Sequence, residues 1–286
     1  VKQVLVISGK GGTGKTTLAG VFARMAAPCV MADCDVDAAD LHIILSPEKA
    51  EEKDFFGGSK ARIDPAGCVS CGACFRVCRF GAVRGDPYTI DHNLCEGCGV
   101  CVWNCPPKTI LFEKALSGRW GISACRFGTF AGARLEPAEE NSGKLVALIR
   151  GEAKKAAEAA GAEWVVLDGP PGIGCPVLAS VGGVDAAVAV AEPTLSGIHD
   201  FARLAELLKK QGIKGWLLVN KWDLNPEKAE ELEKLAAGYG FGLLGRVPFN
   251  ESIIEELLAR RTAGEALPGP ASAAMEAAWK KLKESI

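Results

Sequence analysis

The sequence predicts an α/β fold, a parallel sheet built by alternating strands and helices and interrupted by a small α+β insertion. Three observations predict it. Short apolar runs alternate with longer amphipathic runs at both ends of the chain, and a glycine-rich loop joins the first apolar run to a helical one. Between them, eight of the 12 cysteines crowd into residues 68–105.

The expected strands are Gln3 to Ile7, Cys29 to Asp33, Trp164 to Asp168, Ala186 to Ala191, Trp216 to Asn220 and Leu243 to Val247. Each is a short aliphatic run, as strands buried on both faces require. The rhythm breaks after the second strand, where the charged spacer Glu48 to Asp54 opens a segment rich in Gly, Cys and Pro. This divides the chain into a discontinuous main domain, 1–54 and 140–286, an insertion at 58–113, and a connecting region at 114–139. Within the connection, Arg119 to Arg134 is expected to form a hairpin that returns to the main sheet.

Composition narrows the function classes. With 286 residues, 48% of them hydrophobic and 24% charged, the chain can bury one large core and a smaller one. The 33 basic and 35 acidic residues nearly cancel, which leaves no long-range field to gather nucleic acid; the expected partners are proteins. Val1 to Ile7 lacks the marks of a signal peptide and reads as the first strand. The most apolar stretch, Gly174 to Ala191, is broken by Pro176, Gly182, Gly183 and Asp185, so no stable membrane anchoring is expected. Met275, Trp279, Leu282 and Ile286 recur at helical spacing, fitting a closing helix packed on the core better than a membrane-targeting tail. Cysteines at ligand spacing, rather than spread for disulfides, point to a reducing cytoplasm.

Gly9-Lys10-Gly11-Gly12-Thr13-Gly14-Lys15-Thr16 satisfies GxxxxGK(S/T) between a strand and a helical run that begins at Thr17. This is the phosphate-binding P-loop: the glycines let backbone N–H groups curl round a phosphate, Lys15 bridges the β and γ oxygens, and Thr16 ligates Mg²⁺. The main domain is therefore expected to be a parallel-sheet P-loop NTPase. Downstream, Asp33-Cys34-Asp35-Val36-Asp37 places carboxylates at the carboxyl edge of the sheet, where α/β proteins bind ligands. Trp164 to Asp168 is an apolar strand ending in an aspartate, the Walker B arrangement. Gly169-Pro170-Pro171-Gly172 follows it as a switch loop, in which the Gly172 N–H is expected to turn toward a γ-phosphate.

Lys10 sets this loop apart. Lys-Gly-Gly-Thr-Gly-Lys-Thr resembles the deviant Walker A signature of the MinD, Mrp and nitrogenase iron protein group. The resemblance implies a nucleotide-sandwich dimer, a homodimer or a heterodimer with a paralogue, in which Lys10 reaches the partner's nucleotide. A second cation at the γ-phosphate would then act as an arginine finger does. It further implies that Asp35 orients or activates the attacking water, that Asp33 and Asp37 support the magnesium, and that Asp168 holds the Mg²⁺ hydration shell. Asn220-Lys221-Trp222-Asp223 spells NKxD, which reads guanine in many GTPases. The resemblance favours ATP, with Asn220 at the adenine, while Asp223 keeps GTP open.

Cys68-x2-Cys71-x2-Cys74-x3-Cys78 and Cys95-x2-Cys98-x2-Cys101-x3-Cys105-Pro106 match the bacterial ferredoxin spacing, in which each fourth cysteine serves the other cluster. Cys68, Cys71, Cys74 and Cys105 are thus expected to hold one [4Fe-4S] cluster, and Cys95, Cys98, Cys101 and Cys78 its twin. Ile63-Asp64 before the first run recurs as Ile90-Asp91 before the second, an internal repeat of 27 residues. Zinc is the alternative, but two tandem runs with a third cysteine exceed a four-thiolate site. Arg79 stands where Pro106 stands in the second run, and its charge is expected to raise that cluster's potential. Cys29, Cys34, Cys125 and Cys175 are expected to be structural, with a redox or metal-transfer role open for Cys175. None of His42, His92 and His199 has a partner at ligand spacing.

Together the motifs resemble MinD-superfamily ATPases with an inserted bacterial ferredoxin-like domain, over essentially the whole chain. The implied cofactors are ATP, Mg²⁺ and two [4Fe-4S] clusters. The implied activity is ATP hydrolysis in a dimer, coupled to electron delivery toward, or assembly of, a partner metalloprotein or metal cofactor. A scaffold or carrier with ATPase-controlled docking is the second reading. A GTP-using or positioning ATPase of the MinD/ParA type is the third.

Overall fold

A computed structural model describes residues 1–49, 51–137, 139 and 142–286. The chain divides into two compact units, one of 1–52, 120–134 and 142–286, the other of 53–119 and 135–141. Residue 140, the expected start of the returning domain, lies outside the described residues.

The first unit is built on a mainly parallel sheet. Its strands run in the order Gly242–Val247, Gly215–Asn220, Ala186–Ala191, Lys2–Ser8, Trp164–Pro171, Cys29–Asp33, Gly128–Leu135, Gly118–Cys125. The six strands expected from aliphatic runs all form and lie side by side, each within a few residues of its expected ends. The central ones are buried along almost their whole length, so water cannot compete for their ladder bonds. The hairpin of Gly118–Cys125 and Gly128–Leu135 extends this sheet, its second strand lying parallel to Cys29–Asp33 with Cys29 opposite Gly128. Glu52 and Arg134 pair at 3.3 Å within this unit.

One face of the sheet is closed by helices Lys15–Ala26 and Pro270–Lys283. Trp279 sits at the centre, its ring 5.0 Å from those of both Phe22 and Trp164. Met275, Trp279 and Leu282 are buried, so the last helix spends its apolar stripe on the core. Among the described residues no helix is long and apolar enough to cross a membrane.

The second unit is a small α+β body with two short antiparallel ladders. Gly58–Ile63 pairs with Ile110–Ala115, and Val83–Arg84 with Thr89–Ile90. The 27-residue repeat is visible in the backbone. Ile63 faces Ile110 where Ile90 faces Val83, so each half lends a strand to the other. Asp64 accepts from the Ala66 N–H at 3.1 Å as Asp91 accepts from that of Asn93 at 3.0 Å. The core is Ala61, Ile63, Cys74, Val83 and Ile110, with Cys68, Cys78, Cys95, Cys101 and Cys105 packed around it. Such a core is small, which is why a body of this size calls for a metal or another staple.

Candidate functional site

The loop after strand Lys2–Ser8 enters helix Lys15–Ala26 through Gly14, whose φ of 93° only glycine adopts cheaply. A side chain there would also collide, because a Cβ would lie 2.6 Å from Asn220 Nδ2. Gly11 and Gly12 are exposed, Thr13 and Lys15 buried, and Gly14, Thr16 and Thr17 half-buried. Exposed backbone at a helix start with a buried lysine behind it is the cradle a polyphosphate needs.

Asp168 is 1% exposed, and neither carboxylate oxygen meets a partner at full hydrogen-bond geometry, the Thr16 hydroxyl being the neighbour that approaches one. Burial lifts its carboxyl to about 7, against the pull of the Thr16 hydroxyl and the Lys15 ammonium. An orphaned buried carboxylate beside a threonine hydroxyl fits a magnesium ion, which takes one or two protein oxygens and completes its shell with water and phosphate. Magnesium would supply charge neutralisation at the β and γ oxygens.

Asp33 braces the loop that follows its strand: its Oδ1 accepts from the Asp35 N–H and its Oδ2 from the Leu41 N–H, both at 3.1 Å. Burial, then the neighbouring Asp168, push its carboxyl up. Asp35, half-buried at the start of that loop, is raised by burial against the charge of Lys15, with Asp37 and Asp40 adding to the rise. Asp37 is exposed.

One expectation is corrected by geometry. Gly169 to Pro171 continue the Walker B strand instead of opening a loop. Gly172 has φ 92°, and its N–H donates to the Ser8 carbonyl at 3.0 Å. Asp223, exposed, accepts from the Phe249 N–H at 2.7 Å. It ties down the segment after the last strand.

Asn220 donates through Nδ2 to the Thr13 carbonyl and accepts from the Lys221 N–H through Oδ1. Lys221 reaches Glu192 Oε1 at 2.6 Å, and Glu192 Oε2 lies 3.3 Å from Lys10 Nζ. Lys10 therefore folds back within its own protomer, where Ser196 and Thr194 hydroxyls lie 3.3 and 3.5 Å from it. Sequence reasoning missed Glu192 and Lys221. The one available signal was that each follows the end of a strand neighbouring the others in the sheet.

In the second unit the thiols separate into two sets. Cys68, Cys71, Cys74 and Cys105 line one cavity of about 300 Å³. Cys78, Cys95, Cys98 and Cys101 line another of about 350 Å³. Each set joins three cysteines of one run to the fourth of the other. Cys71 and Cys98 are the exposed members. Burial raises the Cys74 thiol, and its neighbours Cys68 and Cys105 add to this; Cys101 is raised by burial and by Cys95 and Cys98. At Cys78 burial also pushes up, but backbone N–H groups of Phe80, Val83, Ala82 and Gly81 outweigh it and the thiol is lowered. Donors converging on a sulfur favour a thiolate ligand. Arg79 is exposed, and the contribution at Cys78 comes from backbone.

The remaining cysteines differ sharply. Cys29 and Cys34 are buried, Cys125 is half-buried and Cys175 is exposed at the start of helix Cys175–Val181.

The family model described as the CobQ/CobB/MinD/ParA nucleotide binding domain matches residues 4–262. An uncharacterized protein of Methanocaldococcus jannaschii is 31% identical over 289 aligned residues, 100% of this chain and 98% of that protein. A stretch of 55 residues, 19% of this chain, is 34% identical to pyruvate synthase subunit PorD of Methanothermobacter marburgensis and covers 67% of it. Among solved structures, MinD of Pyrococcus horikoshii complexed with Mg-ADP aligns with a TM-score of 0.60 and 16% identity, over 99% of this chain and 96% of that one. At that identity the likeness is one of fold.

Proposed function

Because this chain belongs to the CobQ/CobB/MinD/ParA family of nucleotide-binding domains, we propose that it is an ATPase whose nucleotide cycle, run in a dimer, gates electron transfer through two [4Fe-4S] clusters to a partner metalloprotein or a metal cofactor under assembly. The observation that carries this reading is the sorting of eight thiols into two four-cysteine cavities in the same chain as a complete P-loop. Thiols spread round a cavity suit a cubane; a zinc ion would draw four sulfurs to about 2.3 Å from one point.

Lys15, Thr16 and Asp168 grip the triphosphate and magnesium, Asp35 orients the attacking water, and Lys10 of one protomer completes the charge at the other's γ-phosphate. ATP is favoured over GTP because related ATPases use an asparagine at this strand end, here Asn220, to contact adenine, while Asp223 leaves GTP open. A reducing cytoplasm suits this reading, because it keeps thiols at ligand spacing available to clusters. A second reading, clusters as cargo on an ATPase-controlled carrier, is favoured by the exposure of one thiol in each set, Cys71 and Cys98.

The test is anaerobic reconstitution followed by iron and sulfide analysis, expected to give about eight of each per chain. Reduction of acceptor metalloproteins is then timed with ATP, ADP and a non-hydrolysable analogue. Rates that ignore the nucleotide contradict gating; cluster transfer to an apo-protein in place of electron transfer favours the carrier.

A further inference from the structure

Glu192 carries one carboxylate between two lysines that belong to opposite ends of the nucleotide site. Lys10 comes from the phosphate loop and Lys221 from the NKxD segment, at 3.3 and 2.6 Å from its two oxygens. The Glu192 side chain is 14% exposed, against 29% for Lys10 and 32% for Lys221, so the carboxylate is the sheltered member of the trio. Its backbone is fixed as well. Pro193 follows, the Thr194 N–H donates to the Glu192 carbonyl at 2.8 Å, and Gly197 packs so near that a Cβ there would lie 2.2 Å from that oxygen. Thr194 in turn caps helix Leu195–Lys210 by accepting from the Gly197 N–H.

These contacts close a circuit: Thr13, Asn220, Lys221, Glu192 and back to Lys10 in the same loop as Thr13. We infer that Glu192 is a positioning residue for Lys10, holding it withdrawn in the single protomer, with Lys221 as the standing counter-cation that lets Lys10 leave without stranding a sheltered carboxylate. A carboxylate with two cations can release one and stay paired, whereas a carboxylate with one cannot release it cheaply. Delivery of Lys10 to a second protomer's triphosphate then becomes a competition between two anions for one ammonium. This rests on the reading that Lys10 acts across a dimer.

The two lysines make opposite predictions testable. Nucleotide-free protein, wild type and variants, is acylated with an N-hydroxysuccinimide acetate reagent, and Lys10 modification is read by peptide mass spectrometry against the exposed Lys210. Glu192→Gln is expected to speed Lys10 acylation several-fold, and Lys221→Met to slow it. In ATPase assays the protein concentration at half-maximal rate is expected to fall several-fold for E192Q and to rise for K221M. Unchanged acylation in E192Q, or a shift of both variants in the same direction, overturns the inference; a non-specific loss of packing would move both the same way. If acylation behaves as expected but Lys10→Ala keeps the full concentration dependence of hydrolysis, the holding stands and the trans-acting reading of Lys10 fails.

Discussion

Asn220 and Thr13, 207 positions apart, are joined side chain to backbone, with Nδ2 donating to the carbonyl at 2.8 Å. Asn220 is 7% exposed, so removing the donor strands a sheltered carbonyl in the phosphate loop. Asn220→Ala should cost about 1–3 kcal/mol of stability, and Asn220→Asp more, since it sets a carboxylate oxygen against that carbonyl. Denaturant melts check the order of the two. Titration calorimetry should find ATP affinity lowered by about tenfold in the alanine variant.

Asp33 accepts from both the Asp35 and Leu41 N–H groups, and so sets the shape of the loop that carries Asp35. Asp33→Asn turns one acceptor into a donor facing an N–H group. Steady-state ATP hydrolysis should drop by about tenfold or more, a barrier change near 1.4 kcal/mol. Asp37→Asn, at an exposed position, should do far less. Equal losses in the two variants would contradict the bracing role.

Ser70 and Gly97 occupy equivalent places in the repeat, and both hold left-handed backbone, at φ 50° and 63°. Serine adopts this at a cost that glycine avoids, so Ser70→Gly should leave stability unchanged or raise it by up to about 1 kcal/mol. Gly97→Ala is strained twice over, because its Cβ would also sit 2.2 Å from the Ser59 carbonyl oxygen. Visible absorption after reconstitution should survive the first change and fall with the second.

Burial pushes the Cys29 thiol up to about 12, with Cys125 adding to it, and burial followed by Asp33 raises Cys34 as well. In the unfolded chain both ionise near the ordinary thiol value of about 9. Their contribution to stability is complete below that value. It is lost as the pH climbs through the folded-state values, because only the unfolded chain releases the protons. Each thiol's slope approaches about 1.4 kcal/mol per pH unit, so urea midpoints should hold level to about pH 9 and decline by about pH 10.5. Cys29→Ala should flatten that decline.

Much of the nucleotide half was legible in order. Val4 to Ile7, Cys29 to Ala32 and Val165 to Leu167 are unbroken apolar runs, and such runs have few places to go except the middle of a sheet. The sorting of thiols was legible too, since Cys78 and Cys105 are assigned by spacing alone. Long-range meetings were hidden. Nothing in the spacing of Lys10, Glu192 and Lys221 links them; they converge only because Lys2–Ser8, Ala186–Ala191 and Gly215–Asn220 are sheet neighbours ending at one edge. The bracing by Asp33 was hidden for a related reason: its two N–H partners are set by the fold of 35–41 and not by residue type.

The strand Gly128–Leu135 lies along Cys29–Asp33, while Trp164–Pro171 lies along its other side. Residues before and after the cysteine-rich stretch are therefore interleaved in a single ladder. A peptide bond severed anywhere between 53 and 119 would leave two fragments still laced together through that strand, migrating as one species until denatured. Separately expressed halves of this protein should by the same token find each other and reassemble.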